Sequence, residues 1–182
     1  MTLVKSRMVE LGSLAPSFEL EDVVTNQKVS LSKGKKATLV MFICNHCPYV
    51  KHLFDGLSQL GKDYKDKDIA IYAISSNDVK NYPQDGPDKM KELVVNLGFN
   101  FPYLYDSTQE VAKAYSAECT PDFFLYDRNL ELVYRGQFDD SSPGKDTTVT
   151  GKDLRTAIDA CLNGEKPSSE QIPSMGCSIK WV

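Results

Sequence analysis

Two cysteines, Cys44 and Cys47, stand at a junction between a predicted strand and a predicted helix. The run before them, residues 37–43, is short, apolar and partly β-branched, which is typical of a buried strand. After them, apolar side chains recur at helical spacing, at Val50, Leu53, Phe54, Leu57, Leu60 and Tyr64. Unpaired backbone N–H groups and the helix dipole favour negative charge where a helix begins, and a thiolate is such a charge. The sequence therefore predicts sulfur chemistry at this point.

The length and charge of the chain narrow the classes of function. At 182 residues it is long enough to bury a core of its own, and we expect a single domain over residues 1–182. The formal net charge of −4 argues against non-specific binding to nucleic acid or to an anionic membrane surface. No apolar run approaches the length of a membrane helix. We therefore expect neither a nucleic-acid partner nor a membrane partner.

The first residues and the cysteine content bear on the compartment. Residues 1–16 contain Lys5, Arg7 and Glu10 and no continuous apolar stretch, so they do not have the pattern of a secretory signal. We therefore expect a cytoplasmic protein. Glutathione and thioredoxin keep thiols reduced in the cytoplasm, so the five cysteines are not expected to form a disulfide framework. In that compartment a Cys-x-x-Cys pair is either redox-active or half of a metal site.

Strand and helix patterns follow one another along the rest of the chain. Valines on either side of residues 25–27 suggest a small hairpin within an N-terminal extension, residues 1–36. Residues 79–86 and 165–182 are predicted to be an irregular loop and a C-terminal tail. A capping-box pattern precedes the middle helix, with Val111, Ala114 and Tyr115 expected to face inward. Further strands are predicted at 69–74, 101–105, 123–126 and 130–136, and helices after residues 87, 107 and 150.

This order of elements predicts an α/β protein. Strands joined by helical crossovers, which are parallel, come first, and an antiparallel hairpin with a helix comes last. A sheet that combines the two kinds of pairing is mixed, and both of its apolar faces must be covered. We therefore expect a mixed central sheet with helices on both faces.

The Cys44-x-x-Cys47 pair and the distant Thr120-Pro121 dipeptide, which enters a predicted strand, resemble the thioredoxin fold. This resemblance implies that Pro121 is a cis-proline that lies against the cysteine pair. It also implies that the chain has a thioredoxin-like fold, with the N-terminal hairpin as an extension.

Three further segments are similar to the peroxiredoxin-like branch of that fold, the alkyl hydroperoxide reductase and thiol-specific antioxidant group. They are Gly-x-x-Ala-Pro-x-Phe-x-Leu at residues 12–20, and residues 42–48 and 115–127. The Cys-Asn-His-Cys-Pro core and the Gly-Cys-Ser-Ile-Lys-Trp tail resemble a bacterial subgroup of thiol–disulfide oxidoreductases. The resemblance covers nearly the whole chain.

Two features depart from the patterns of these relatives. Peroxiredoxins carry Pro-x-x-x-Thr-x-x-Cys around the peroxide-reducing cysteine. When that pattern is laid on Cys47, Val40 and Cys44 take the proline and threonine positions, so the peroxide-binding pocket is not implied. Thioredoxin has a buried Asp on the strand before its first cysteine, and here that position is Thr38. A proton acceptor for the second thiol must then come from elsewhere.

Thiol–disulfide exchange assigns a role to each residue of the motif. Cys44 is expected to be the attacking thiolate and Cys47 the resolving thiol, because exchange needs a second thiol within reach. His46 between them is expected to lower the pKa of Cys44 and to place the reduction potential above the roughly −270 mV of thioredoxin. Thr120 and Pro121 are expected to support the pair. The predicted function is a thiol–disulfide oxidoreductase without a cofactor, whose partners are protein or small-molecule disulfides and thiols and an unknown reductant.

Two other functions fit the same residues. One is a peroxiredoxin-like thiol peroxidase with antioxidant activity, in which Cys47 or Cys44 forms a sulfenic acid with peroxide. The other is a metal-binding or copper-chaperone-like module. Cys44, Cys47 and His52 offer three ligands, but a structural zinc site takes four and the sequence has no second Cys-x-x-Cys pair. We expect no metal at the site.

Three more cysteines lie downstream. Cys161 is on the apolar face of the last predicted helix and is expected to be part of the core. Cys119 is either a small buried hydrophobic residue or an additional redox thiol. Cys177 either belongs to a tail that docks through Ile179 and Trp181, or is a resolving or partner-linking thiol.

Overall fold

The computed structural model describes residues 2–182, which contain strands, α-helices and one 3-10 helix, at Pro83–Asp85. The strands are β1 (Leu3–Lys5), β2 (Glu19–Asp22), β3 (Lys28–Ser30), β4 (Ala37–Phe42), β5 (Ile69–Ser75), β6 (Tyr103–Tyr105), β7 (Cys119–Thr120), β8 (Asp122–Tyr126), β9 (Leu132–Gly136) and β10 (Met175–Ser178). The helices are α1 (Pro48–Lys51), α2 (Phe54–Asp63), α3 (Pro87–Leu97), α4 (Glu110–Ala114) and α5 (Lys152–Leu162). None of the helices in this part of the chain combines the length and apolar character needed to span a membrane.

Seven strands form the main sheet, in the order β3–β2–β6–β5–β4–β8–β9. Strands β4, β5 and β6 run parallel to one another, as helical crossovers require. The remaining pairs, including the β2–β3 and β8–β9 hairpins, are antiparallel. The predicted mixed sheet and both predicted hairpins are therefore confirmed.

Strand β4 lies near the middle of this sheet, and all six of its residues are buried. Leu39 and Met41 belong to a core that includes residues of α2, α3 and α5. Val40 and Phe42 belong to a second core on the opposite face, which includes Ala112 of α4. Because side chains alternate along a strand, β4 contributes to both cores, and the prediction of helices on both faces is confirmed.

The helix predicted from the spacing of Val50 to Tyr64 is interrupted. Pro48 occupies the first turn of α1, where its missing N–H costs nothing. One turn later Leu53 donates its N–H to the Val50 carbonyl at 2.9 Å, an i→i−3 bond that tightens the chain, and α2 begins at Phe54. The prediction of one continuous helix is wrong at this point.

The start of α4 also differs from the predicted capping box. The Asp106 carboxylate accepts the N–H groups of Val111 and Ala112, at 3.4 and 2.9 Å, so a residue before the predicted box satisfies the first turn. The inward face shifts with it, because Ala112 is buried and Ala114 is exposed. The expectation that Ala114 faces inward is wrong.

A second sheet joins the two ends of the described chain, in the order β1–β10–β7. Residues 165–182 are predicted to be a tail without regular structure, but they contain β10. Its sequence, Met-Gly-Cys-Ser, lacks the alternation of apolar and polar residues that marks a strand, so pairing with β1 and β7 decides its conformation. This small sheet covers the cysteine motif described next.

Candidate active site

Cys44 and Cys47 flank the turn between β4 and α1, and Cys47 is the residue that caps α1 before Pro48. The Cys44 sulfur lies 3.3 Å from the Thr120 hydroxyl oxygen, and the Cys47 sulfur lies 3.3 Å from the Thr120 carbonyl oxygen. The peptide bond between Thr120 and Pro121 is cis. The fold thus brings the Cys-x-x-Cys pair and the Thr-Pro dipeptide together. Both cysteines are buried, with exposed fractions of 1% and 0%.

The environments of the two sulfurs push their pKa values apart. Cys44 donates its S–H toward Cys47, and this contact, together with burial and the nearby Asp85 carboxylate, raises the pKa of Cys44. The same contact lowers the pKa of Cys47, and hydrogen bonds from Cys177 and from the Val50 backbone N–H lower it further. Of the two sulfurs, Cys47 is the one whose contacts with Cys44 and Cys177 favour a thiolate, whereas burial and the Thr120 carbonyl oxygen oppose it.

The turn between the cysteines is held by a buried carboxylate that the sequence analysis did not identify. Asp85 has no exposed surface, and its Oδ1 accepts the backbone N–H groups of Asn45 and His46 at 2.8 and 3.2 Å. Its Oδ2 accepts hydrogen bonds from His46 Nδ1 at 2.5 Å and from Asn77 Nδ2 at 2.9 Å. Asp85 lies in the predicted irregular loop 79–86. The one available signal was that this loop follows the polar carboxyl end of a buried strand, where functional groups collect.

The His46 ring is held by two neighbouring side chains. Its ring stacks on Tyr82, with 5.2 Å between the ring centroids, and its Nδ1 is bound to Asp85. The Asp85 carboxylate disfavours ionisation of Cys44. The pKa of Cys44 is raised by the contact with Cys47, by burial and by this carboxylate, so the effect expected of His46 on that pKa and on the reduction potential stays a prediction.

A third thiol lies at the pair. Strand β10 places Cys177 directly opposite Thr120 in the antiparallel ladder. The Cys177 thiol is hydrogen-bonded to Cys47, and its sulfur accepts the Tyr49 backbone N–H. The residue is buried, with an exposed fraction of 1%, and Ile179 after it is also buried. The tail therefore docks, and docking brings Cys177 to the motif.

The other two cysteines lie in apolar surroundings. The Cys119 thiol donates to the Pro121 carbonyl oxygen at 3.7 Å, and burial raises its pKa. Cys161 is part of the core on α5, as predicted, and burial raises its pKa to about 11. Burial opposes the thiolate at both positions, so neither is a ready nucleophile.

A candidate metal-ligand set exists in the described residues, but it is not the one expected. The ligand atoms of Cys44, His46 and Asp85 lie within 4.8 Å of one another. His52 is instead within 3.0 Å of the Ser141 hydroxyl. The Asp85 oxygens already accept four hydrogen bonds, so a metal ion would have to displace donors that hold the turn. The arrangement fits thiol chemistry better than metal binding.

Comparison with solved structures shows the same fold at full length. An uncharacterized conserved protein from Geobacillus kaustophilus is 51% identical, with a TM-score of 0.97 over 100% of this chain and 97% of that one. A hypothetical protein from Sinorhizobium meliloti is 45% identical, with a TM-score of 0.96 over 98% of each chain. A putative thiol:disulfide interchange protein DsbE from Chlorobium tepidum, 21% identical with a TM-score of 0.65, shares the fold over 84% of this chain and 98% of its own.

Sequence comparison identifies relatives with a named activity. The thiol-disulfide oxidoreductase ResA of Bacillus subtilis is 27% identical over 123 residues, which cover 67% of this chain and 64% of that protein. The match therefore spans slightly less than two thirds of the relative. The model of the AhpC/TSA family matches residues 11–135. With this match and its thioredoxin-like architecture, the chain belongs to the AhpC/TSA family.

Proposed function

We propose that the protein is a thiol–disulfide oxidoreductase that works through Cys44 and Cys47, with thiols and disulfides as substrates. The observation that carries the proposal is the placement of both sulfurs beside the cis Thr120–Pro121 bond, each 3.3 Å from an oxygen of Thr120. Membership of the AhpC/TSA family and the similarity to ResA support it.

Within the pair we assign the attack to Cys47, which reverses the order expected from the sequence. The thiolate is the attacking species in exchange, and the surroundings of Cys47 lower its pKa whereas those of Cys44 raise it. The Cys47 thiolate attacks one sulfur of the substrate disulfide, forms a mixed disulfide and releases the first substrate thiolate. Cys44 then loses its proton and attacks the Cys47 sulfur. The second substrate thiolate leaves, and the protein is left with a Cys44–Cys47 disulfide while the substrate has gained two electrons.

Thr120 assists the second step. Its hydroxyl is 3.3 Å from the Cys44 sulfur and favours the ionised form of that sulfur. The contact with Cys47 and the Asp85 carboxylate act in the opposite sense, and the contribution of Cys47 is lost once its sulfur is part of the mixed disulfide. Early ionisation of both thiols would place two negative charges in contact, and this arrangement avoids it.

The assignment is tested by trapping the first adduct with 5,5′-dithiobis(2-nitrobenzoic acid). In Cys44→Ser/Cys177→Ser, the serine at position 44 keeps a hydroxyl donor, and we expect rapid formation of one adduct at Cys47. In Cys47→Ser/Cys177→Ser we expect slow reaction. Cys161→Ser serves as the control and should react like the wild type. Rapid reaction of the second variant with slow reaction of the first would return the attack to Cys44. Reaction of both variants far more slowly than the wild type, in protein that reacts fully once unfolded in urea, would overturn the proposal.

A second candidate, a thiol peroxidase, is favoured by one observation. Cys47 caps α1 directly before Pro48 and is stabilised as a thiolate, which is also what reduction of a peroxide needs. Against it stands Cys44 in the position where peroxiredoxins have threonine. Stoichiometric hydrogen peroxide followed by mass spectrometry separates the two functions. Sulfenic acid at Cys47 that forms faster than exchange with a disulfide would favour the peroxidase.

A further inference from the structure

Cys177 is the only other cysteine of residues 2–182 that is hydrogen-bonded to a sulfur of the motif. Its hydrogen bond is with Cys47, which is also hydrogen-bonded to Cys44, so Cys47 lies between two thiols. One of them, Cys44, lies at the turn between β4 and α1, and the other, Cys177, lies on β10, near the C-terminal end of the sequence. Each neighbour is therefore placed to attack a disulfide formed at Cys47.

The position of Cys177 is fixed by bonds on both sides of it. Before it, the Ser174 hydroxyl donates to the Pro121 carbonyl oxygen at 2.7 Å. After it, the Ile179 N–H donates to the Glu118 carbonyl oxygen at 3.0 Å. These contacts attach β10 to the segment that carries the cis peptide bond, so Cys177 is held at the site rather than carried on a loose end.

The close approach of β10 requires a residue without a side chain. A Cβ atom at Gly176 would collide with the carbonyl group of Thr120. With glycine there, the backbone of β10 packs directly on the Thr120 backbone, and Cys177, the next residue, lies opposite Thr120 in register. The local sequence is thus adapted to bring this sulfur to the pair.

We propose that Cys177 is a second resolving thiol, which attacks the mixed disulfide at Cys47 in parallel with Cys44. The proposal rests on the proposed function, because it needs a mixed disulfide at Cys47. It adds a third redox residue to the site and a second oxidised form of the protein, in which a Cys47–Cys177 disulfide links α1 to β10 and Cys44 stays a thiol.

The step balances without another reactant. The Cys177 thiol loses its proton, and its sulfur attacks the Cys47 sulfur of the mixed disulfide. The bond between Cys47 and the substrate sulfur breaks, and the substrate leaves as a thiolate that takes up a proton. The two electrons that the substrate gains come from Cys47 and Cys177, which become a disulfide.

The charge on Cys47 affects when Cys177 can lose its proton. While Cys47 is a thiolate, burial and the contact with that sulfur raise the pKa of Cys177 to about 12. Once Cys47 is in a mixed disulfide, its sulfur carries no charge, and its contribution to the raised pKa of Cys177 is lost. The Tyr49 N–H and the Lys180 ammonium group, which both favour a Cys177 thiolate, remain. Cys177 therefore becomes more acidic when a target disulfide exists.

The test counts how many aromatic thiolates each reduced variant releases from 5,5′-dithiobis(2-nitrobenzoic acid). A trapped adduct at Cys47 releases one, and resolution by a second thiol releases another. We expect two rapid equivalents from Cys44→Ser, with Cys177 resolving, and two from Cys177→Ser, with Cys44 resolving. Cys44→Ser/Cys177→Ser should release one and keep the adduct. Cys161→Ser and Cys119→Ser are matched controls and should release two.

Peptide mapping then identifies the bond. Trypsin leaves Cys161 and Cys177 in one peptide, but cleavage after Glu165 and Glu170 by a glutamate-specific protease separates them. In Cys44→Ser we expect a peptide pair that contains Cys47 and Cys177.

One rapid equivalent from Cys44→Ser, with the adduct retained at Cys47, would overturn the proposal for Cys177 and leave the proposed function intact. Failure of Cys44→Ser/Cys177→Ser to form any adduct at Cys47 would overturn the assignment of the attack to Cys47. Failure of Cys47→Ser/Cys177→Ser to react as well would overturn the proposed function itself. Repeating the count with Cys44→Ala keeps the result independent of how one substitution affects folding.

Discussion

The Oδ2 atom of Asp85 lies 2.5 Å from Nδ1 of His46, although the two residues are 39 positions apart in the chain. Together with the two backbone N–H groups bound by Oδ1, this contact fixes the turn that separates the cysteines. The distance between the sulfurs therefore depends on a side chain from the connection between β5 and α3.

Removal of the Asp85 carboxylate should destabilise the protein. Asp85→Ala leaves four hydrogen-bond donors without their acceptor, and we expect a loss of about 3–5 kcal/mol in the free energy of unfolding. Asp85→Asn keeps an acceptor oxygen and should lose less. Urea denaturation measures both, with Asn at the exposed Asp66 as the control. An Asp85→Ala variant as stable as Asp66→Asn would contradict this role.

The contact with the Thr120 hydroxyl should lower the pKa of Cys44. In a Cys47→Ser background, which removes the thiol hydrogen-bonded to Cys44, Thr120→Val removes the hydroxyl contact at 3.3 Å and should raise the pKa of Cys44. Asp85→Asn in the same background removes a nearby negative charge and should lower it. Thiolate absorbance at 240 nm as a function of pH measures both shifts. Thr38→Val, at a buried threonine elsewhere on β4, should leave the titration unchanged.

Thr38 itself offers a stabilising substitution. Its hydroxyl is buried and has no hydrogen-bond partner among the described residues. Valine has nearly the same shape and removes the unsatisfied group, so Thr38→Val should raise the free energy of unfolding by about 1 kcal/mol. Urea denaturation of the reduced protein checks this, and a loss of stability would show that the hydroxyl is bound in solution.

Asp122 should make stability depend on pH in an unusual direction. Burial raises the pKa of this carboxyl well above its ordinary value. A raised folded-state pKa contributes stability that is complete below the unfolded value of about 3.9 and is lost as the pH rises through the folded value. The stability of the wild type should therefore fall relative to Asp122→Asn as the pH increases. Denaturation curves at a series of pH values give this difference, and a constant difference would count against the assignment.

A methyl group at position 176 should displace β10. Gly176→Ala places a Cβ against the Thr120 carbonyl, and overpacking of this kind costs about 1–3 kcal/mol. We expect faster alkylation of Cys177 by N-ethylmaleimide, because the strand opens more often. Ser169→Ala, at an exposed residue before β10, is the control. Equal alkylation rates in the two variants would show that β10 tolerates the substitution.

Local patterns were sufficient to predict the main sheet, and the resemblance to the thioredoxin fold predicted that the Thr-Pro dipeptide lies beside the cysteine pair. The apolar run of β4 and the spacing after Cys47 identify the strand–helix junction, and Thr120 was expected near the pair from the resemblance. Local patterns could not predict that Asp85 holds the turn between the cysteines. It has no periodic neighbours, and its four donors come from two other segments of the chain. The Met-Gly-Cys-Ser sequence of β10 also lacks a strand pattern. Its strand conformation depends on pairing with β1 and β7, which are distant in sequence.

The same limit explains why the attack proposed for Cys47 differs from the order expected from the sequence. Position relative to a helix start suggests that Cys44 is the thiolate, but Pro48 delays α1 so that Cys47 caps it. The pKa of each thiol then depends on Asp85 and on Cys177, which tertiary contacts bring to the motif.

The burial of both sulfurs has a kinetic consequence. Cys44 and Cys47 expose 1% and 0% of their surfaces, so a bulky disulfide that collides with the closed molecule finds no sulfur to react with. Only the fraction of molecules that has opened is competent, and the apparent affinity is reduced by that fraction. As the disulfide concentration rises, the observed rate approaches a plateau set by opening rather than by bond exchange. A smaller reagent needs a smaller opening, so molecular size alone discriminates among reagents of equal chemical reactivity.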